Sequence, residues 1–291
     1  MNYIVRNLRH LATASIAIAI SIAAVAAYGQ DSNYKDKNKT RHSGSGSFCS
    51  EEDWSSHGRV AVRDLREMTL PAASSISVDS GRNGGISVKG EDRNDIVLRA
   101  CVQAWADTAE AARALASSVR ISTAGTIRAD NIEGERSVGV SYQLLVPRSI
   151  DLKLEAENGG ISIKGVNGTA DFETRNGGIH LNDVSGNVKG RTTNGGVHVV
   201  LTGSTWRGKG LDLETINGGV HVAMPRGYAA HLESGTVNGG FKTNIAGLED
   251  DVAQADRRRA SRISKDINGG GPTIRFMTTN GGVKIGTSED Q

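Results

Sequence analysis

The sequence predicts a predominantly all-β protein: a single-stranded parallel β-helix (β-solenoid) of about 18–23-residue coils, with one short helix in the N-terminal part. Three observations lead there. Glycine supplies 37 of the 291 residues, proline only 4 and aromatic side chains 4%, a balance that fits many tight turns around a core of small and β-branched residues. An Asn-Gly-Gly tripeptide followed by an apolar residue recurs at Asn83, Asn158, Asn176, Asn194, Asn217, Asn238 and Asn280. On both sides of each tripeptide apolar and polar residues alternate with period two, as in a strand with one buried face. The glycines have no period of three, which excludes collagen.

Taken in chain order, residues 1–29 read as a signal peptide. Arg6 and Arg9 precede an uncharged run from Leu11 to Ala27, and small residues follow at Ala24-Val25-Ala26 and Ala27-Tyr28-Gly29. The alternative is an uncleaved anchor, for which the run is short. Without that segment the chain carries 34 − 2 = 32 basic and 32 acidic side chains, so nothing argues electrostatically for nucleic acid. Residues 30–58 read as a flexible polar linker, with spaced lysines and then Ser43-Gly44-Ser45-Gly46-Ser47. Residues 59–150 read as an N-terminal β-rich segment with one helix. Strands are expected at Ile76–Val78, Ile86–Val88 and Asp95–Gln103, then a helix over Asp107–Ser118 with Thr108 as its cap, then strands near 119–127 and 138–146. The two cysteines, Cys49 and Cys101, are expected to pair in an exported chain, two buried thiols being the alternative.

Residues 151–287 hold the repeat, and are expected to form the solenoid domain. From Asn158 the steps are 18, 18, 23, 21 and 42 residues, the last about two periods. Six turns are expected: Asn158-Gly159-Gly160, Asn176-Gly177-Gly178, Asn194-Gly195-Gly196, Asn217-Gly218-Gly219, Asn238-Gly239-Gly240 and Asn280-Gly281-Gly282, whose glycines would supply positive φ at each corner. Asn-Gly between alternating runs also fits a hairpin meander. The outward residues five before each Asn favour stacked coils, because Lys153, Asp171, Lys189 and Asp212 alternate in sign, which helps only if they are neighbours. A column of threonines two before the Asn, Thr174, Thr192 and Thr215 among them, fits a buried ladder. Between Gly247 and Ile267 the repeat is interrupted by acids and then bases, which predicts a short helix.

The export signal, the strand-helix-strand front half, the tandem turns and a last coil reading Asn268-Gly269-Gly270-Gly271-Pro272 … Thr279-Asn280-Gly281-Gly282-Val283 resemble the bacterial putative-adhesin family of unknown function, over about residues 75–286. The resemblance implies a parallel β-helix at the cell surface or in the periplasm, and it transfers no catalytic residue.

The chain contains no nucleophile elbow, phosphate loop, His-Glu-x-x-His or calcium nonapeptide. Glu155, Glu173, Arg191 and Glu214 share one outward column; paired acids there could serve a polysaccharide-cleaving enzyme, but the arginine among them suits a charge-balanced ladder. Four after the Asn stand Ser162, His180, His198, His221 and Lys242. The three histidines are a candidate metal set, with a solvated polar column as the alternative. The resulting expectation is a non-catalytic, exported envelope binding or scaffold protein in the periplasm, at the surface or outside the cell. It would have no cofactor, no nucleic-acid partner and no membrane span once the signal is removed. Its partner would be an envelope polymer or a surface protein, with self-association through the last coil's edge left open. The alternatives are the polysaccharide enzyme and a structural spacer.

Overall fold

The computed structural model describes residues 48–50, 54–56, 58–130, 137–249 and 261–288. The signal peptide and most of the linker lie outside them. In chain order the strands begin with β1 (Trp54–Ser56), β2 (Arg59–Pro71), β3 (Ser75–Asp79), β4 (Ile86–Glu91) and β5 (Asp95–Ala106). Helix α1 (Ala109–Ser118) follows, then β6 (Arg120–Ser122), β7 (Thr126–Asp130) and β8 (Val138–Pro147). The repeats supply β9 (Asp151–Ala156), β10 (Ile161–Lys164), β11 (Asn167–Asn176), β12 (Ile179–Asn182), β13 (Ser185–Asn194), β14 (Val197–Val200), β15 (Gly210–Asn217), β16 (Val220–Met224), β17 (Ala230–Asn238) and β18 (Phe241–Thr243). The chain closes with β19 (Ser261–Ile267), β20 (Thr273–Asn280) and β21 (Val283–Thr287).

These strands form two large mixed sheets. The first, sheet A, is ordered β1-β2-β5-β8-β4-β10-β12-β14-β16-β21-β18; the second, sheet B, is ordered β19-β17-β20-β15-β13-β11-β9-β3-β7-β6. This corrects the expectation of a single parallel β-helix. The pairs β1–β2, β2–β5 and β5–β8 in sheet A are antiparallel, as are β17–β19 and β6–β7. Strand order also departs from chain order: β20 and β21 lie between β15–β16 and β17–β18 rather than after them. The cause is local sequence. Between β5 and β8 the chain carries helix α1 and the antiparallel β6–β7 pair instead of an Asn-Gly-Gly corner, and β2, β5 and β8 run antiparallel to one another in turn. Most of the stretch expected to be helical, residues 250–260, lies outside the described residues; its last part, Ser261–Ile267, is strand β19 along the edge of β17.

Within the mixed sheets the Asn-Gly-Gly segments lie parallel and in register. Thr174 pairs with Thr192, and Thr192 with Thr215. Each threonine is buried, and its hydroxyl donates to a turn carbonyl of the neighbouring repeat: Thr174 to Gly159 O at 2.7 Å, Thr192 to Gly177 O at 2.7 Å and Thr215 to Gly195 O at 2.8 Å. The asparagines form a ladder as well. Nδ2 of Asn176 donates to Oδ1 of Asn158, Asn194 to Asn176, Asn217 to Asn194, Asn280 to Asn217 and Asn238 to Asn280, at 2.7–2.9 Å.

The first glycine of each turn is required for a different reason from the one expected, and the second is not under the same constraint. None of them has positive φ. A Cβ on Gly177 would instead lie 2.1 Å from Gly159 O, and one on Gly195 would lie 2.0 Å from Gly177 O. Close approach of stacked backbones, not left-handed conformation, excludes a side chain there.

The two sheets share one core. Leu152, Leu154, Phe172 and Leu213 from sheet B meet Ile161, Leu181, Val199 and Val222 from sheet A. Size is matched between neighbours: Gly190 sits beside Phe172, and a Cβ on Gly190 would lie 2.0 Å from the Phe172 ring. Helix α1 packs on β2 and β5, with the Thr108 hydroxyl accepting from the Ala111 N–H. Its C-terminal end is closed by Arg66 of β2, which donates to Ala116 O at 2.7 Å and to Val119 O. Cys49 and Cys101 are joined by a disulfide, tying residues 48–50 to β5.

Candidate functional site

The outward faces of the two sheets carry different electrostatics. On sheet B the column five before each Asn runs Lys153, Asp171, Lys189, Asp212, Arg275, Glu233 across six adjacent strands, alternating in sign at every step. Arg275 holds Asp212 at 2.5 Å and Glu214 at 2.6 Å, while Arg191 adds a 3.2 Å pair to Glu214. Hydrogen bonding from Arg275 is the main cause that holds the Glu214 carboxyl below the usual carboxylate range. Lys153 likewise pairs with Glu155 at 3.0 Å.

Of the candidate carboxylates Glu155 and Glu214 are ion-paired, while Glu173 lies next to Glu155 on the adjacent strand. Asp79, Glu155 and Glu173 line a groove of about 360 Å³ together with Arg82, Glu157 and Arg175. The Glu155 side chain is 54% exposed and paired. An exposed, paired carboxylate in an open groove lacks the enclosure of a small-substrate site.

On sheet A one outward row crosses ten adjacent strands. It reads Glu67, Arg99, Gln143, Ser87, Ser162, His180, His198, His221, Lys284, Lys242. Arg99 is satisfied by Glu67 at 2.6 Å and by Gln143 at 3.3 Å. From Ser87 onward the row contains no acid. Sequence spacing put Lys242 next to His221; the inserted β21 places Lys284 there instead, with Lys242 beyond it.

His180, His198 and His221 stand side by side and exposed. The His180 and His198 rings are stacked, with centroids 5.0 Å apart and planes 6° from parallel; His198 and His221 lie 5.1 Å apart at 35°. The rings lie along the second glycines of the turns: a Cβ on Gly178 would come 3.3 Å from His180 Nε2, and one on Gly196 would come 3.5 Å from His198 Nε2. Partial desolvation where the rings pack on one another and on the turns, then the neighbouring His198, lowers the pKa of His180; His221 is lowered by the same desolvation, by His198 and by Lys284. Two nitrogens bound to one zinc ion can be no more than about 4.2 Å apart, twice the Zn–N distance. Stacked rings 5.0 Å apart do not converge on such a point. Among the described residues no group of three His, Cys, Asp or Glu is placed to hold a metal ion.

The asparagine ladder is a structural constellation that sequence reasoning missed. Its signal was the identity of the residue at one position in every repeat, which was read only as turn chemistry. Two further features of this surface were also absent from the sequence reading: Arg275 as the hub of the sheet B face, and Lys284 in the histidine row. Both follow from strand order, which sequence spacing alone did not reveal.

No family model matches the chain, and no curated protein matches it. Similar solved structures include a putative cell adhesion protein from Clostridium sporogenes, 9% identical with a TM-score of 0.38, spanning 77% of this chain and 100% of that one. A putative adhesin from Bacteroides fragilis is 10% identical with a TM-score of 0.31, spanning 77% and 97%. A putative lipid binding protein from Parabacteroides distasonis is 9% identical with a TM-score of 0.26, spanning 77% and 96%. Likeness of that degree assigns this chain neither an activity nor a ligand. Among the described residues no helix is long and apolar enough to cross a membrane.

Proposed function

We propose that the chain is a non-catalytic, exported binding and scaffold module of the cell envelope. The carrying observation is the display of side chains in register on two open sheet faces, each column stepping about 4.8 Å per strand. Such a surface suits an extended partner that repeats its contacts, rather than a small substrate that must be enclosed. The ion-paired, solvent-exposed carboxylates of sheet B argue against the polysaccharide-cleaving alternative. Export rests on the charge and apolar pattern of residues 1–29.

The test is co-sedimentation of the purified mature protein with washed envelopes of its own source cells, with released reducing ends measured in parallel. Saturable retention without release of sugar is expected. Release of sugar that scales with added protein, or no retention at all, would overturn the reading. Intact-mass analysis of the native protein should find an N-terminus between Ala27 and Gln30, whereas a chain starting at Met1 and held in the membrane would remove the export step.

A further inference from the structure

Resting on that reading, we propose that the sheet A row from Ser87 to Lys242 is a docking strip for a linear acidic polysaccharide. The argument is a contrast within one molecule. On sheet B the column from Lys153 to Glu233 pairs opposite charges at every step, which is what stability alone favours, and of the like-charged neighbours Asp79, Glu155 and Glu173 in the next column Glu155 is held by Lys153. On sheet A the same β geometry sets three imidazoles beside one another, then Lys284 beside Lys242. Lys164, Lys242 and Lys284 make no ion pair among the described residues, and the nearby acid Glu91 is already held by Lys89 at 2.7 Å. Adjacent like charges on neighbouring strands oppose folding, so this row is the part of the surface that an external anion would relieve.

The shape and chemistry of the strip select the class of anion. From Ser87 to Lys242 the row covers seven strands, or six steps of about 4.8 Å, roughly 29 Å in all. That length suits a chain laid across the strands. Ser87, Ser162 and Asn182 at one end supply neutral donors and acceptors for sugar hydroxyls, while the imidazoles and lysines face acidic groups. The strip lacks the dense phosphate-neutralising charge that nucleic acid needs. Its only large exposed apolar side chain is Val200, too little for a lipid surface.

The strip should also strengthen as pH falls. Around the imidazoles stand Ser162, Lys164 and Asn182 on β10 and β12, Val200 and Ala223 on β14 and β16, and Lys284 and Lys242 on β21 and β18. Asp183, just past Asn182, is engaged by Thr202 at 2.5 Å and Arg207 at 3.7 Å. With no free carboxylate beside the imidazoles among the described residues, protonation of the row is favoured by an anion from outside.

The experiment measures binding of the mature full-length protein to immobilised polygalacturonate at pH 5.5 and pH 8. Neutral dextran, duplex DNA and phosphatidylglycerol vesicles serve as comparison ligands. Polygalacturonate should bind at least about tenfold more tightly at the lower pH, weaken with added salt and exceed all three comparisons. Lys284→Ala and Lys242→Ala should each weaken binding several-fold. His221→Gln should reduce the pH dependence, and Lys189→Ala on sheet B should change nothing. Indifference to the Lys284 and Lys242 changes, equal loss in Lys189→Ala, or preference for DNA or vesicles would overturn the proposal. Retention on envelopes without polygalacturonate binding would overturn this strip alone; absence of both would remove the envelope reading with it.

Discussion

Substituting one atom in a stacked turn tests the packing that holds both faces in register. Gly177→Ala adds a Cβ that would sit 2.1 Å from Gly159 O, so the backbones must part by about 1 Å to reach ordinary contact. Neither backbone is free to move. Gly159 O accepts the buried Thr174 hydroxyl at 2.7 Å, and Asn176 beside the new methyl donates to Asn158 at 2.7 Å. Overpacking of this kind costs about 1–3 kcal/mol, and a weakened buried hydrogen bond adds about 0.5–1.5 kcal/mol, for roughly 2–4 kcal/mol together. For a unit of this size, about 2–4 °C of melting temperature accompanies each kcal/mol, so the expected loss is about 5–15 °C. Gly240→Ala is the internal control. It closes the last turn of the array, a Cβ there meets nothing within 4 Å, and its φ is not positive. It should be neutral or stabilising by up to about 1 kcal/mol, through the unfolded chain. Thermal unfolding followed by circular dichroism decides the matter. Equal melting temperatures for the two variants would refute the claim that backbone approach, rather than φ, requires these glycines.

Four further outcomes are expected. Gly190→Ala should destabilise by about 1–3 kcal/mol because its Cβ meets the Phe172 ring at 2.0 Å, and Phe172→Leu in the same chain should recover part of the loss, measured by a denaturant double-mutant cycle. Arg275→Glu should cost more than Arg275→Met, since it sets a third acid between Asp212 and Glu233 and removes the donors to Asp212 and Glu214; equal midpoints in urea would count against the ladder. Reduction of Cys49–Cys101, which are 52 residues apart, should lower stability by about 4 kcal/mol on the chain-entropy account, read from melting with and without reductant. Stability should also fall with pH in two stages. His180 and His221 have folded-state pKa values below the ordinary 6.5, so the unfolded chain binds protons first and stability declines as pH drops through about 6.5; Glu214, lowered below 4.5, adds a loss beneath that value. Urea midpoints that stay flat from pH 8 to pH 5 would contradict the first stage.

Periodicity of two made the repeat strands legible, and the charge signs made their parallel neighbours legible. Lys153, Asp171, Lys189 and Asp212 do lie on adjacent strands. Helix α1 was legible from its alanines and the Thr108 cap. Strand β2 was not, because Asp64 and Arg66 interrupt its apolar alternation. Arg66 faces inward for a tertiary reason, the carbonyls at the end of α1, and no local pattern encodes that. The histidine row was legible as a column, but the packing of its rings along the turn glycines and the Lys284 beside it depend on strand order.

That order was nevertheless written in the side chains. In chain order the column five before the Asn would set Asp212 beside Glu233, two acids on neighbouring strands. Placing β20 between β15 and β17 puts Arg275 between them and continues the alternation for six strands. The core column agrees, since Phe276 then packs next to Leu213 while small Ser234 lies buried on the far side of Phe276 and donates its hydroxyl to Phe276 O at 3.0 Å. Strand β19 can then lie antiparallel on β17 and cover that edge of sheet B. On sheet A the same insertion costs a like-charge contact, because Lys284 arrives between His221 and Lys242. One rearrangement thus extends the alternating column on one face and concentrates positive charge on the other. If stability were the only requirement, a neutral residue at position 284 would serve the insertion better, so Lys284 is the residue at which the proposed docking strip is most directly tested.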